Sequence, residues 1–340
     1  MVSVVFRTDR FRDRLSRAGV VLLAVPTLVL FGFGVLGAVL YGRAAVAGLL
    51  LLAVTIGIGV GIRHEWWFLL GVTESDAAIS EEGVPIAASI AGGTLLTLAG
   101  VAELGLSPVV SAAVVGIAAA VVVPTRAVPA YCGAFVGMTS PVLFATYWHA
   151  VLASVVATIV YLVVRPAFQG IGGKLGTTAF VGTTVTVVAT SGAFQSDLLP
   201  AFDVLVAVVA LSVVGAVATF ALHTRLDTSS VFASGVVGAV GGGLLPPLYA
   251  SGELAAAAVF SASFAGMADP KRIPDERWIG AVGAVVGVAV VYTTPYLGGS
   301  GGKLGTIAFG SCLAVHGLRR AVDVVRIRRR ADEFPDRDTT

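Results

Sequence analysis

The sequence predicts an all-α polytopic membrane protein of about twelve transmembrane helices, two at the N-terminus followed by two inverted five-helix repeats. Three observations carry that expectation. Composition is the first: 56% of the 340 residues are hydrophobic and 12% are charged, whereas a water-soluble chain needs about a quarter of its residues charged. The second is a series of apolar runs of roughly twenty residues, each long enough to cross about 30 Å of hydrocarbon as a helix. None of them alternates with the period of a membrane β-strand. Duplication is the third. Gly172-Gly173-Lys174-Leu175-Gly176-Thr177 recurs as Gly301-Gly302-Lys303-Leu304-Gly305-Thr306, and Ala179-Phe180 and Ala308-Phe309 follow each copy alike. Lys303 follows Lys174 by 129 residues, and this spacing also superimposes Phe135-x-Gly137-Met138-x-x-Pro141 on Phe264-x-Gly266-Met267-x-x-Pro270, and Pro166 on Pro295.

Charges, prolines and glycines divide the chain into elements. A basic segment at 1–17 carries Arg7, Arg10, Arg12, Arg14 and Arg17. Two helices are expected within 18–62, at 18–41 and 44–62; the first is too long for a secretory leader. A polar cytoplasmic loop is expected at 63–84, with Trp66 and Trp67 where interfacial aromatic anchors sit. The first repeat, 85–191, reads as helices at 85–102, 107–123, 129–146, 148–164 and 173–191. The second, 198–318, reads as 198–222, 230–250, 254–268, 278–296 and 302–318. A basic, charged tail at 319–340 follows, disordered beyond Arg330. Upstream, the segment from Ser107 to Gly116 parallels that from Ser229 to Gly238, and Pro124 falls on Pro246. A few extra residues of the second copy near 251–254 account for the change in spacing.

The third segment of each repeat is short and rich in small residues, so it either crosses or is re-entrant. The distribution of positive charge decides between these. With twelve crossings and the N-terminus inside, Arg63, Arg126, Arg165, Arg225, Lys271, Arg272, Arg277 and the C-terminal arginines all face the cytoplasm, and Arg43 is the exception. Re-entrant third segments would move Arg165 and Arg225 outside. Five crossings per repeat invert the second repeat relative to the first, an arrangement found in many secondary transporters and some channels. Both termini are then expected on the cytoplasmic side of a plasma membrane.

The candidate site is the duplicated loop. Three of the 22 basic residues are lysines, and Lys174 and Lys303 are two of them. A chain that otherwise uses arginine keeps a compact point charge at both equivalent places. Gly173, Gly176, Gly302 and Gly305 permit left-handed backbone and close approach. The expected arrangement is an irregular loop feeding a helix N-terminus near Thr177 or Thr306, where free N–H groups, the dipole and a lysine suit an anion or an electronegative solute. The bland reading has each lysine snorkelling towards headgroups. Phe135 and Phe264 either pack a core or pinch a pathway from two sides. The threonines after Lys174 either line a polar path or bond their own preceding turn.

Other chemistries have weaker footing. Cys132 and Cys312 lie in apolar segments and read as small buried hydrophobes. Asp203 is the acid expected clearly inside a span, so no buried carboxylate pair supports a proton or sodium antiporter. His149, His223 and His316 fall near span ends, where capping is the expected role. Gly298-Gly299-Ser300-Gly301-Gly302 matches a nucleophile-elbow pattern only literally, since no strand precedes it. No cofactor, metal site or nucleic-acid partner is expected, and the chain is not expected to be an enzyme. The partners expected are the bilayer and a small solute or ion, with a homo-oligomer left open. The function expected is a transporter or channel for a small anion or polar solute. The alternatives are a lipid-handling protein or enzyme gripping lipid phosphates, and a membrane scaffold subunit.

Overall fold

The computed structural model describes residues 2–40, 45–71 and 83–333, with side chains at 15–40, 46–69 and 83–326. The expected loop residues 72–82, Arg43 and the tail 334–340 lie outside the described residues. Twelve α-helices follow in chain order: α1 (Val2–Leu40), α2 (Ala45–Gly71), α3 (Gly83–Ala102), α4 (Pro108–Val122), α5 (Ala127–Gly137), α6 (Tyr147–Val163), α7 (Lys174–Ala189), α8 (Phe202–Arg225), α9 (Ser230–Leu248), α10 (Gly252–Gly266), α11 (Glu276–Thr293) and α12 (Lys303–Glu333). The described residues contain no strand. Their one extended pairing is a bridge in which Gln195 and Gly298 exchange two backbone hydrogen bonds.

Local chemistry sets the boundaries. Ser107 and Ser229 cap α4 and α9, their hydroxyls accepting the N–H of Val110 at 3.3 Å and of Phe232 at 3.1 Å. Asp275 caps α11 through the N–H groups of Arg277 and Trp278. α6 and α11 stop just before Pro166 and Pro295, which cannot continue a helix. Four elements depart from the sequence reading. α1 starts at Val2 where a helix is expected from 18, and α12 continues to Glu333 where it is expected to end at 318 with disorder beyond Arg330, because no glycine or proline interrupts 2–17 or 319–333. α2 runs on through Arg63 to Gly71 where a loop is expected, because no breaker interrupts it and Glu65 finds a buried partner. The segment 129–146 is helical only to Gly137, with turns from Ser140 to Thr146.

Six helices among the described residues are long and apolar enough to cross a membrane: Leu15–Leu40, Val46–Leu69, Gly83–Ala102, Phe202–Arg225, Ser230–Leu248 and Glu276–Thr293. Valines, leucines and isoleucines such as Val46, Leu49, Ile56, Val122, Ile159, Val206 and Val214 stand exposed around the outside. In water that surface would be unsustainable; it fits a membrane-embedded protein. By contrast, α5 has 11 residues, α7 has 16 and α10 has 15. At 1.5 Å per residue these rise only about 16–24 Å.

Inside, small residues let backbones touch. α3 packs on α5 and α8 on α10, while α4 faces α9 and α7 faces α12. α1 and α2 lie along α12, with Gly57 against Ala314 and Gly61 against Leu313. α1 also meets α11: Gly34 abuts Thr293, and Phe33 stacks on Tyr296 at 5.0 Å between ring centroids.

Candidate functional site

The two lysine loops meet. Gly176 and Gly305, each the third residue of its helix, are in backbone contact: a Cβ on Gly176 would stand 2.5 Å from the Cα of Gly305. Gly173 lies against Gly305 and Phe309, and Gly302 against Gly176 and Phe180. The first two turns of α7 and α12 therefore cross antiparallel, with both N-termini in the buried interior. Gly173 enters α7 at φ 81° and Gly302 enters α12 at φ 83°, a region that favours glycine. Each loop twists the same way beforehand, with φ 54° at Phe168 and 74° at Gly170, and 52° at Leu297 and 77° at Gly299.

The loops are also held alike. Ser140 N–H donates to the Gly299 carbonyl at 2.8 Å, and Asp269 N–H to the Gly170 carbonyl at 2.9 Å. Gly172 packs on the C-terminal carbonyls of α10 and Gly301 on those of α5. Cys132 Sγ points to the Leu175 carbonyl at 3.4 Å, and Ser261 Oγ donates to the Leu304 carbonyl at 2.7 Å.

Lys174 and Lys303 point back along their own loops. Lys174 Nζ donates to the carbonyls of Ala167 at 2.5 Å and Arg165 at 3.1 Å. Lys303 Nζ donates to Tyr296 at 2.5 Å and Thr293 at 2.7 Å. Each half-buried ammonium thus ties down the carbonyls freed where the preceding helix ends. Two of its three donors are used in this way. Each lysine is thus an internal clip beside a helix N-terminus.

Thr177 and Thr306 are fully buried, and each hydroxyl returns to the carbonyl four residues back, on Gly173 and Gly302. Thr177→Val and Thr306→Val are therefore expected to change stability by no more than about 1 kcal/mol, measured as the unfolding midpoint in detergent. A larger loss would mean that the hydroxyls hold something besides their own helices. Phe135 and Phe264 pack against each other at 4.5 Å between centroids with their rings tilted by 51°, flanked by Tyr131 and Phe260. All four rings are buried and close the space between α5 and α10.

The sequence reading missed a polar cluster beside the first loop. Glu65, 2% exposed, pairs with Arg272 at 3.1 Å and accepts the Phe168 N–H at 2.7 Å. Arg272 also donates to the Gln169 carbonyl at 2.8 Å, and its own carbonyl is met by His316 Nδ1 at 3.0 Å. The signal available was Arg63-His64-Glu65-Trp66 continuing α2 without a breaker. Of the other histidines, His149 bonds Thr146 beside the start of α6, and His223 reaches the Gly266 carbonyl at the end of α10.

No family model, curated protein or solved structure matches this chain. Its geometry is therefore the ground for any functional reading. Both cysteines are buried and unpaired, and no group of three metal-ligating side chains occurs among the described residues.

Proposed function

We propose that the chain is a membrane transporter or channel for a small anion or small polar solute, with a path between two inverted five-helix halves. The observation that carries this is the antiparallel crossing of α7 and α12 at Gly176 and Gly305. Helices that begin inside a membrane protein aim positive dipole ends and uncapped N–H groups at its interior, the usual construction of a solute site in inverted-repeat transporters. The constant spacing of 129 residues between matching left-handed glycines, clipped lysines and facing phenylalanines supports the duplication. Antiparallel matching helices support the inversion, and with it twelve crossings and cytoplasmic termini. The four buried rings then make this a closed conformation. Lys174, Lys303 and the glycines beside them shape the site, while Phe135 and Phe264 gate it.

Flux into proteoliposomes tests the reading across small anions, cations and neutral solutes. Lys174→Ala with Lys303→Ala is expected to abolish flux of one solute class, scored per folded protein because both clips are lost. Unchanged flux would remove the lysines from the site. A lipid-handling reading has one observation in its favour, an apolar groove of about 470 Å³ between α3 and α4 lined by residues such as Leu96, Leu104, Val115 and Val122. Absence of flux for every solute in folded protein would turn the argument to that groove.

A further inference from the structure

The seam between α2 and α12 carries polar atoms that the loops do not explain. His316 is 3% exposed, and its Nδ1 lies 3.0 Å from the Arg272 carbonyl. A carbonyl only accepts, so Nδ1 carries the proton and Nε2 presents a bare lone pair. That Nε2 is buried without a partner. So is Nδ1 of His64, whose ring stands edge-on to His316 with centroids 5.8 Å apart. Arg319 Nη1, one turn further along α12, is a third such atom. The remaining orphans among the described residues are hydroxyls of Thr97, Thr184, Ser212 and Thr219, which can rotate. Ring and guanidinium nitrogens cannot escape so easily, and each unmet group costs about 1–3 kcal/mol.

Charge says what would meet them. Arg272 and Arg320 lie within electrostatic reach of both imidazoles, and Glu65 within reach of His64. Glu65 is committed to Arg272 and to Phe168. On the neighbouring helices, Lys174 of α7 is clipped to carbonyls, Arg17 of α1 lies over Trp66, and Glu276 of α11 is paired with Arg225. Asp323, one turn on along α12, lies 4.0 Å from Arg319 Nε at 45% exposure. Arg272, Arg319 and Arg320 thus outnumber the acids Glu65 and Asp323, and this positive balance disfavours a metal cation and favours an anion.

We propose that His64, His316 and Arg319 form a small-anion site whose occupation is linked to protonation of the imidazole pair. A neutral His316 turns a lone pair towards the seam. Taking one proton from solvent at Nε2 converts it into a charged donor, and the anion balances the charge gained. Affinity consequently rises as pH falls. The site is separate from the lysine loops and goes beyond the transport reading. It is joined to the first loop through Arg272, whose carbonyl bonds His316 and whose guanidinium holds Gln169.

Calorimetric titration of the full chain in detergent with sodium chloride and with sodium sulfate, in gluconate buffer, tests this without any flux measurement. Two buffers of different ionisation enthalpy at each pH report proton uptake. Saturable binding of at least one probe is expected, with net proton uptake and an affinity that falls by up to about tenfold per unit rise in pH once the pair is deprotonated. His316→Leu and His64→Leu are expected to weaken binding about tenfold or more, the loss of one charge-assisted hydrogen bond. Wild-type protein that is folded yet shows no saturable binding would overturn the proposal, leaving ordered water as the occupant. Binding without proton uptake, or binding unaffected in both folded variants, would overturn it as well.

Discussion

Gly176→Val is expected to prevent recovery of folded protein, and Gly176→Ala to cost about 3 kcal/mol, the upper end of ordinary overpacking. The reason lies in what the new methyl would meet. Around Gly176 the nearest atoms are the Cα and N of Gly305 and the Gly302 carbonyl. Backbone cannot rotate aside as a side chain can, so α7 and α12 must separate. That separation would loosen Gly173 against Phe309 and Gly302 against Phe180, the contacts that seat both loops. Gly305→Ala is expected to cost the same. The double variant should cost less than the sum, since one displacement accommodates both methyl groups. Gly59 and Gly243 supply the control, because nothing lies within 4 Å of a Cβ at either. Alanine there is expected to be neutral or to stabilise by up to about 1 kcal/mol through helix propensity. Thermal unfolding followed by size-exclusion chromatography in detergent measures all of these. A Gly176→Ala midpoint equal to wild type would mean that the helices do not cross in contact.

The helices were legible because the signals that make them are local. Pro166 and Pro295 end α6 and α11 whatever else the chain does, and Ser107 and Ser229 cap α4 and α9 from within reach along the chain. Repetition also pointed to two loops that the structure brings into contact. What they do was not legible, because a lysine beside a helix start reads the same whether it faces solute, headgroup or its own chain. Lys174 and Lys303 do the last, reaching carbonyls seven residues back on Ala167 and Tyr296. The depth of the loops was hidden for a related reason: pattern reports which residues are small, not which small residues meet. Gly176 and Gly305 were both candidates, and their contact joins residues 129 apart. The cluster at α2 was harder still. Arg63-His64-Glu65 reads as the start of a polar loop until Arg272 is known to sit opposite, and that pairing spans 207 residues.

The same cluster carries the second large effect. Glu65→Leu is expected to destabilise the protein by about 3–5 kcal/mol, the cost of leaving a buried charge without its partner. Arg272 is 14% exposed and Glu65 is 3% exposed at the side chain, so solvent cannot replace what is lost. The Phe168 N–H is orphaned at the same time, at a residue already held at φ 54°. Arg225 and Glu276 provide the contrast. They approach to 2.6 Å, but at 69% and 33% exposure, and Glu276→Gln is expected to leave the unfolding midpoint nearly unchanged. Distance alone would rank the two pairs the other way; desolvation decides. A double variant, Glu65→Leu with Arg272→Met, separates the ion pair from the anchoring of the loop. If the charge alone matters, removing both partners restores most of the stability, since buried pairs are often replaceable by apolar side chains. If anchoring matters too, the double variant stays impaired, because Phe168 and Gln169 have still lost the groups that hold them. The second result is expected. Recovery to wild-type stability would reduce Glu65 to a counter-ion for Arg272 and leave the first loop held by Lys174 and Asp269.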